Sequence, residues 1–399
     1  SADAALLQKR GDAHEAAFLE QLKASGKSVL CIDTDGAPFD QSVSDTLVAL
    51  QKGPDIVFQG ALEGGAWGGY SDFLERVDLH SDLGAFSYEV VDTKLKRKPA
   101  PGHVLQLVLY SDLLRTIQGV APEQAHVQLG NGERFSFRLA EYADYARGAR
   151  TRLEAFVQDP SATRPVPCTT CDLCRWREHC ADIWKDSDSL FEVAGITKSQ
   201  VSKLEAHGIN TLEALAVHDG AVPRIASETL SKLSAQARLQ QTRKTGDPRH
   251  ELRPHQHGKG FDLLPRPEQG DLFYDIEGDP HYEEAGTDGL EYLHGVWDGS
   301  EFIALWAHDR AEEKQALIDL FALFEERIAR NPTARIYHYA PYEITALRRL
   351  TTLHGVGEAQ LDNWLREHRF IDLYSVVRAG VVVSERSYSI KYLEAFYDI

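Results

Sequence analysis

The amino-acid sequence predicts an α/β protein of several domains, and three observations lead to this prediction. The chain has 399 residues, enough for two or three domains with cores of their own. Strand-like apolar runs alternate with amphipathic helical segments over residues 1–165 and again over 265–399. Residues 187–243 are helical in character throughout. The stretches between them, 166–186 and 244–264, are predicted to be a cysteine-rich segment and a polar linker.

Charge and apolar content limit the classes of function. The formal net charge of −18 argues against a general nucleic-acid coat, because phosphate affinity comes from Lys and Arg. No apolar run is long enough to span a bilayer, so we expect a soluble, cytoplasmic protein without a membrane partner. The chain has no methionine, even at position 1, and its last residues continue an apparent element. We therefore expect a fragment of a longer polypeptide.

The first α/β unit begins with a helix that carries His14. Phe18 and Leu22 follow at helical spacing, which predicts an amphipathic helix. A strand over 28–33 and a helix over 42–51 are predicted next. By itself His14 could be an ordinary surface histidine.

Two further strand-like runs carry acidic residues. Asp72 lies in one, and the other, over 86–91, continues into Asp92-Thr93-Lys94. If these runs pair, Asp72 and Asp92 become neighbours at one sheet edge, where two carboxylates can hold a hard divalent ion. Lys94 points to the same face as Asp92 and can orient a water or stabilise charge on a phosphate. A solvated hairpin is the better interpretation of the triplet alone.

The rest of this unit adds basic and polar groups. A basic run at 96–98 follows the second strand and is either a nucleic-acid contact or a solvated strand end. Gln106 and Tyr110 lie one turn apart on the next predicted helix. An Asn-Gly turn at 131–132 predicts a hairpin, and a helix is predicted over 140–157.

The cysteine-rich segment predicts a metal or cluster site. Its cysteines are spaced closely enough to bind one ion or one cluster: Cys168, Cys171, Cys174 and Cys180. Thiols in this pattern suit a reducing compartment better than a disulfide framework does. The spacing leaves iron–sulfur and zinc open, and Cys168 is either the fourth ligand or a bystander.

The order of these features resembles that of the RecB-like PD-(D/E)XK nucleases with an iron–sulfur cluster. The shared motifs are G-x-x-H, D…D-x-K, Q-x-x-x-Y and the trailing cysteines. The resemblance implies a restriction-endonuclease-like fold and a [4Fe-4S] cluster, with Zn²⁺ as the alternative. It also implies that Mg²⁺ or Mn²⁺ is held by His14, Asp72, Asp92 and the carbonyl of Thr93. Lys94 would then position the hydrolytic water, while Gln106 and Tyr110 would brace the site or the strand.

Residues 187–243 resemble a helix-hairpin-helix module. Turns at Gly195-Ile196 and Gly208-Ile209 join the predicted helices. Such a module can hold phosphate through turn amides without reading bases. A plain helical domain explains the pattern equally well.

The C-terminal unit carries a second set of acids. Asp275 and Glu277 lie two residues apart at a predicted strand end, so they share one face. The strands and helix that follow are predicted over 292–297, 302–307, 311–330 and 334–339. Glu343 comes just after the last of these, and Asp372 lies further on.

This order resembles the RNase H-like exonucleases of the DnaQ and YprB type. The resemblance implies that Asp275, Glu277 and a later acid bind two metal ions for phosphodiester hydrolysis. Tyr339 stands where that family has Asn, and Glu343 replaces its Asp, which puts full activity in doubt. The family's third motif would lie beyond Ile399.

Together the resemblances imply a divalent-metal-dependent DNA nuclease. It would act on single strands or duplex ends in DNA repair or processing, with a helicase domain as a partner in the same full-length chain. The alternative is a nucleic-acid-binding scaffold with a structural zinc or iron–sulfur site and degenerate nuclease domains that serves a helicase.

Overall fold

The structure is a computed structural model. It describes residues 2–34, 36–284 and 287–397. Among the helices of these residues, none combines the length and the apolar character that crossing a membrane requires. The chain divides into two compact units.

The first unit, residues 1–164 and 170–175, is built on one six-stranded sheet. Its helices are α1 (Ala2–Ala24), α2 (Phe39–Lys52), α3 (Pro101–Gln118) and α4 (Ala143–Gln158). Its strands are β1 (Val29–Cys31), β2 (Ile56–Gly64), β3 (Trp67–Val77), β4 (Ser87–Lys94), β5 (Gln124–Leu129) and β6 (Arg134–Arg138). The strands lie in sequence order, and β2, β3 and β4 form an antiparallel meander. β4 and β5 are parallel, which requires a crossover, and α3 supplies it.

Helices cover both faces of this sheet. Successive strand residues point to opposite faces, so neighbouring residues of β3 enter different cores. Phe73 packs with Leu19 and Leu22 of α1. Leu74 packs in the larger core that includes Leu107 of α3. The middle strands are therefore shielded from water on both sides.

The structure corrects one expectation for this unit. Asp72 and Asp92 do not lie at an edge of the sheet, because β3 and β4 are its middle strands. β2 pairs with the outer side of β3, and β5 pairs with the outer side of β4. The paired carboxylates are consequently more buried than a hairpin edge would allow.

The second unit, residues 165–169 and 176–399, opens with a helical part. Its helices are α5 (Arg177–Asp186), α6 (Lys198–Glu205), α7 (Leu212–Ala216) and α8 (Ser227–Arg243). Thr197 and Thr211 cap α6 and α7 by accepting hydrogen bonds from backbone amides of the first turn. Gly208 joins the two helices at φ 76°, a left-handed conformation that favours glycine. Local capping thus explains where these short helices begin.

The remainder of the second unit contains a five-stranded mixed sheet. The strands of the unit are β7 (His250–Leu252), β8 (Leu272–Glu284), β9 (Thr287–Trp297), β10 (Phe302–Trp306), β11 (Ile336–His338), β12 (Phe370–Asp372) and β13 (Val381–Val383). Its helices are α9 (Arg310–Arg330), α10 (Tyr342–His354), α11 (Glu358–Arg366), α12 (Leu373–Gly380) and α13 (Ile390–Leu393). The sheet order is β10-β9-β8-β11-β12, antiparallel from β10 to β8 and parallel from β8 to β12.

Two expectations for the second unit change. Asp275 and Glu277 do not end a strand, because β8 continues to Glu284 in pairing with β9. They do share one exposed face, while Tyr274 and Ile276 point into the core. The stretch 244–264 is not only a linker, since it contains β7, which pairs with β13.

Candidate functional site

The acidic pair of the first unit lies where the β3–β4 ladder ends. The last registered pair is Phe73–Val91, and Asp72 and Asp92 follow it. Beyond this pair the Thr93 amide and hydroxyl both donate to Asp72 Oδ2, at 2.8 and 2.9 Å. The Asp72 carboxylate therefore takes over a backbone donor of β4 and is held in one orientation.

Asp92 is the most buried charged group of this site, at 1% exposure. Lys94 Nζ lies 2.7 Å from Asp92 Oδ2, but the alignment is that of an ion pair. Within the described residues, neither Asp92 oxygen has a hydrogen-bond partner. Burial raises the pKa of Asp92 to about 7; the Asp72 charge also raises it, and Lys94 lowers it. This carboxylate lacks sufficient compensating positive charge.

Helix α1 adds an imidazole and a further carboxylate. The Nε2 atom of His14 is buried and, among the described residues, has no hydrogen-bond partner. Its neighbour Glu15 accepts a hydrogen bond from the side chain of Gln59. Burial raises the pKa of Glu15, and the nearby Asp72 charge raises it further. The N-terminal helix is therefore electrostatically coupled to the acidic pair.

Helix α3 brings Gln106 and Tyr110 to the same place. Burial raises the pKa of Tyr110, the nearby Gln106 side chain lowers it, and the charges of Asp72 and Asp92 raise it. A Cβ atom at Gly69 would lie 2.8 Å from the Tyr110 hydroxyl. Glycine at this position therefore lets the tyrosine approach β3 closely.

The structure thus groups residues that sequence analysis predicted, and it adds two. Glu15 follows His14 directly in the sequence, but no motif in the sequence predicted that it belongs to the site. Gln59 has φ 55°, and both it and Asp72 lie between the registered pairs Phe58–Phe73 and Gly60–Ser71 of the β2–β3 ladder. A left-handed conformation at a non-glycine residue is strained and is concentrated at functional sites. The position of Gln59 at the site is therefore evident only from the structure.

The donor atoms of this site suit a hard divalent ion. Two carboxylates, one of them with unsatisfied buried oxygens, and an unpartnered imidazole nitrogen are suitable ligands. Over the residues that the structure describes, no group of three or more His, Cys, Asp or Glu side chains is arranged to hold a metal ion. Metal binding at this site therefore stays a prediction.

The same finding applies to the cysteines. Cys168 and Cys174 are exposed, while Cys171 and Cys180 are half-buried. None of them belongs to a metal-holding group within the described part of the chain. The cluster and its choice of metal remain predictions.

The acids of the second unit are held differently. Asp275 and Glu277 are exposed on β8. Glu343 on α10 is buried; its Oε1 accepts from the Tyr339 amide at 3.3 Å, and its Oε2 lies 3.6 Å from His338 Nδ1. Glu343 therefore supports the turn after β11, and it does not share the exposed face of the β8 acids.

Asp372 has a similar structural task. Its Oδ1 accepts from the amides of Ala340 and Tyr374, both at 2.9 Å, and its Oδ2 accepts from the Ser375 hydroxyl. It caps α12 and holds Ala340 at φ 76°. These bonds use both carboxylate oxygens.

A buried acid on β9 was missed by sequence analysis. Glu291 is 3% exposed, accepts from the Tyr342 hydroxyl at 3.0 Å and pairs with Arg349. Burial raises the pKa of Tyr274 well above its usual value, with the charges of Glu343, Glu291 and Asp275 adding to the effect. These three acids therefore surround one core tyrosine.

One family comparison bears on the second unit. Residues 272–399 match a family model of the RNase H superfamily. No curated protein matches the chain. The C-terminal part is therefore RNase H-like, and this superfamily indicates hydrolysis of nucleic acid by a nuclease-type domain.

Proposed function

We propose that residues 1–165 form a divalent-metal-dependent nuclease centre of the PD-(D/E)XK type. The observation that carries the proposal is the buried Asp92 carboxylate, which lies beside Asp72 and Lys94 and lacks a hydrogen-bond donor. Burying a charge that its partners compensate only in part is costly, so a protein keeps such a group where a cation or a reaction compensates it. The antiparallel meander of β2, β3 and β4 and the crossover helix α3 that follows it support the same proposal.

The residues take distinct roles in this proposal. His14, Asp72, Asp92 and the Thr93 carbonyl would hold Mg²⁺ or Mn²⁺. A bound ion supplies Lewis-acid polarisation of the phosphodiester and of water. Lys94 places a positive charge beside Asp92, where it orients the attacking water or stabilises negative charge on the phosphate.

Two further residues support the strand and the site. Gln106 lies one turn before Tyr110 on α3 and would brace the tyrosine beside the acidic pair. The exposed basic loop after β4 provides phosphate contacts close to Lys94. The RNase H-like match supports nucleic acid as the substrate. In its finer form, the proposal takes DNA single strands or duplex ends as the substrate and DNA repair as the process. It also takes a helicase domain of the full-length chain as the partner.

The test is cleavage of a labelled single-stranded DNA by the full chain, with Mg²⁺, Mn²⁺ or a chelator. We expect cleavage only with metal, and a loss of at least about a hundredfold in Asp92→Asn and Lys94→Ala. The matched controls are Asp45→Asn and Lys52→Ala, exposed positions on α2. Undiminished cleavage in both Asp92→Asn and Lys94→Ala would exclude this centre.

A nucleic-acid-binding scaffold is the second candidate, and one observation favours it for the second unit. Asp372 uses both carboxylate oxygens, and Glu343 uses Oε1, to accept hydrogen bonds that hold the fold, while Glu343 Oε2 is buried without a partner among the described residues. Two candidate metal ligands therefore serve the fold at least in part. In this reading the C-terminal domain holds nucleic acid without cutting it. Strand binding without metal-dependent cleavage would support the scaffold.

We also propose a cofactor at Cys168, Cys171, Cys174 and Cys180. Their compact spacing and thiol chemistry support a [4Fe-4S] cluster, with Zn²⁺ as the alternative. Anaerobic purification followed by absorption spectroscopy and assays of iron, sulfide and zinc distinguishes the two. Iron and sulfide in cluster ratio would support the cluster; zinc alone would make the cysteines a structural knuckle.

A further inference from the structure

A second polar feature of the molecule is a cleft inside the second unit, with a volume of about 790 Å³. It opens between α8, β7 and α12. Its lining contains four basic side chains, Lys232, Arg253, Lys259 and Arg378, and two acidic ones, Glu228 and Glu251. Lys232 is paired with Glu228 at 2.7 Å, so the excess of positive charge rests on Arg253, Lys259 and Arg378 against Glu251. In a chain with a net charge of −18, this local excess favours an anion.

The floor of the cleft is a buried polar network. Tyr388 is 7% exposed and donates from its hydroxyl to Gln236 Oε1 at 2.7 Å. Arg253 donates from Nη2 to the Tyr388 hydroxyl at 3.2 Å and from Nε to the Val381 carbonyl at 3.0 Å. The Arg253 guanidinium is therefore held in position before any ligand arrives, which lowers the entropic cost of binding.

The walls combine positive charge with flat or apolar surface. Arg378 is exposed and lies over the Tyr374 ring, 5.8 Å from its centroid. Leu252 on β7 is 71% exposed at the rim. Grooves that bind single strands combine a basic track for phosphates with rings and apolar groups for bases.

The cleft also adjoins the carboxyl ends of the parallel strands β11 and β12. Tyr374 and Ser375 line it and donate to Asp372, which ends β12. Asp372 in turn accepts from Ala340, just beyond β11. One wall of the cleft is thus continuous with the edge of the RNase H-like sheet, where parallel strands usually present their functional groups.

We propose that this cleft binds the sugar–phosphate backbone of a single-stranded nucleic acid. The inference rests on the proposed function only in taking nucleic acid as the ligand. The fixed Arg253 and the exposed side chains of Lys259 and Arg378 contact phosphates, and the exposed Leu252 offers an apolar surface to a base. A bound strand passes beside Asp372.

The experiment measures binding of a fluorescent oligothymidylate to the full chain by anisotropy, in chelator so that no cutting occurs. The test variant is the double charge reversal Lys259→Glu with Arg378→Glu. The matched control is Lys314→Glu with Arg330→Glu, two exposed bases of α9 outside the cleft. Both variants change the net charge equally. We expect the cleft variant to weaken binding at least about tenfold and to flatten its salt dependence, with the control within about twofold.

Several outcomes would overturn the inference. They are no binding by the unchanged chain, equal losses in both double variants, or full competition by inorganic phosphate at the same phosphate concentration as the strand. The last would identify a free-anion site. Thermal unfolding of both variants, together with the milder Arg378→Gln, separates loss of binding from loss of fold. Metal-dependent cleavage is measured separately. If the unchanged chain cuts DNA and the cleft double variant still binds the oligonucleotide with unchanged affinity, only the inference about the cleft is contradicted.

Discussion

At the residue scale, the protein keeps ionisable groups away from water at several positions. Asp92 is buried between covered strands and has an elevated pKa, near 7. His294 is fully buried, and burial lowers its pKa to about 4. In both cases the low-polarity surroundings favour the neutral form. Each group therefore makes stability depend on pH or on a bound cation.

Asp92→Asn should make the metal-free protein more stable and abolish stabilisation by metal. The folded pKa of Asp92 lies about three units above the unfolded value, so ionised Asp92 costs on the order of 2–4 kcal/mol above about pH 7. We expect a higher melting temperature for Asp92→Asn in chelator at about pH 8. Mg²⁺ or Mn²⁺ should raise the melting temperature of the unchanged chain alone.

Asp45→Asn, an exposed acid of α2, is the control for this comparison. At about pH 4, where Asp92 is protonated in the folded state, the gain should largely disappear. An Asp92→Asn protein that is less stable than the unchanged chain in chelator would contradict the account of a buried charge that Lys94 compensates only in part.

His294 should make the second unit sensitive to acid. Its Nδ1 shares a hydrogen bond of 2.9 Å with the Tyr274 hydroxyl. Because the folded pKa of about 4 is below the unfolded value of about 6.5, the unfolded chain binds more protons between these values. Stability is therefore present above about pH 6.5 and falls as the pH decreases, by about 3 kcal/mol for this residue.

Urea unfolding of His294→Asn at about pH 4.5 and about pH 7 measures this contribution. We expect a smaller difference between the two pH values than in the unchanged chain. His80→Asn, at an exposed position of the first unit, should keep the original difference. The same pH dependence in both variants would show that His294 does not cause it.

At the element scale, the candidate site depends on where α3 begins and ends. The helix ends at Gln118 and is capped by Gly119, which has φ 69° and whose amide donates to the Arg115 carbonyl. A Cβ atom there would lie 2.1 Å from Asp82 Oδ2. Only glycine combines the left-handed conformation with this close approach.

Gly119→Ala should destabilise the first unit by about 1–2 kcal/mol, from backbone strain with a further penalty from the Asp82 contact. The control is Gly102→Ala in the first turn of the same helix, where a Cβ would meet nothing within 4 Å. We expect Gly102→Ala to be neutral or to stabilise by up to about 1 kcal/mol. Thermal and urea unfolding compare the two, and equal midpoints would contradict the role given to Gly119.

At the scale of the whole molecule, two α/β units carry acids of opposite character. The first unit holds the buried, undercompensated Asp92 carboxylate beside the half-buried Asp72. The second has exposed acids on β8, and its other candidate acids serve as hydrogen-bond acceptors for the backbone. If the proposed nuclease centre is correct, we therefore expect cleavage by the full chain to depend on the first unit.

The double variant Asp275→Asn with Glu277→Gln tests this assignment. We expect it to cut a labelled single strand within about threefold of the unchanged chain, whereas Asp92→Asn loses at least about a hundredfold. Rates are compared at equal metal and salt concentrations, with melting temperatures as a check of the fold. A loss in the double variant as large as that of Asp92→Asn would move the catalytic centre to the second unit.

Much of the local organisation followed from the sequence. Strand and helix periodicity predicted the alternating elements, and the spacing of two residues placed Asp275 and Glu277 on one face. Such features depend on residues close together in the chain. Two expectations were wrong. Asp72 and Asp92 do not lie at a sheet edge, because β3 and β4 are central strands, and Asp275 and Glu277 do not end a strand, because β8 continues to Glu284.

The sequence by itself determined which chemical groups are present and in what order, including the Asp92-x-Lys94 spacing and the glycine turns. Tertiary structure decided the rest. Three features depend on elements that are distant in the chain. Thr93 donates a hydrogen bond to Asp72, Asp92 is buried, and Gln59 contacts Glu15 at the site. Burial and charge coupling depend on what packs around a group in three dimensions, and local sequence periodicity does not contain that information.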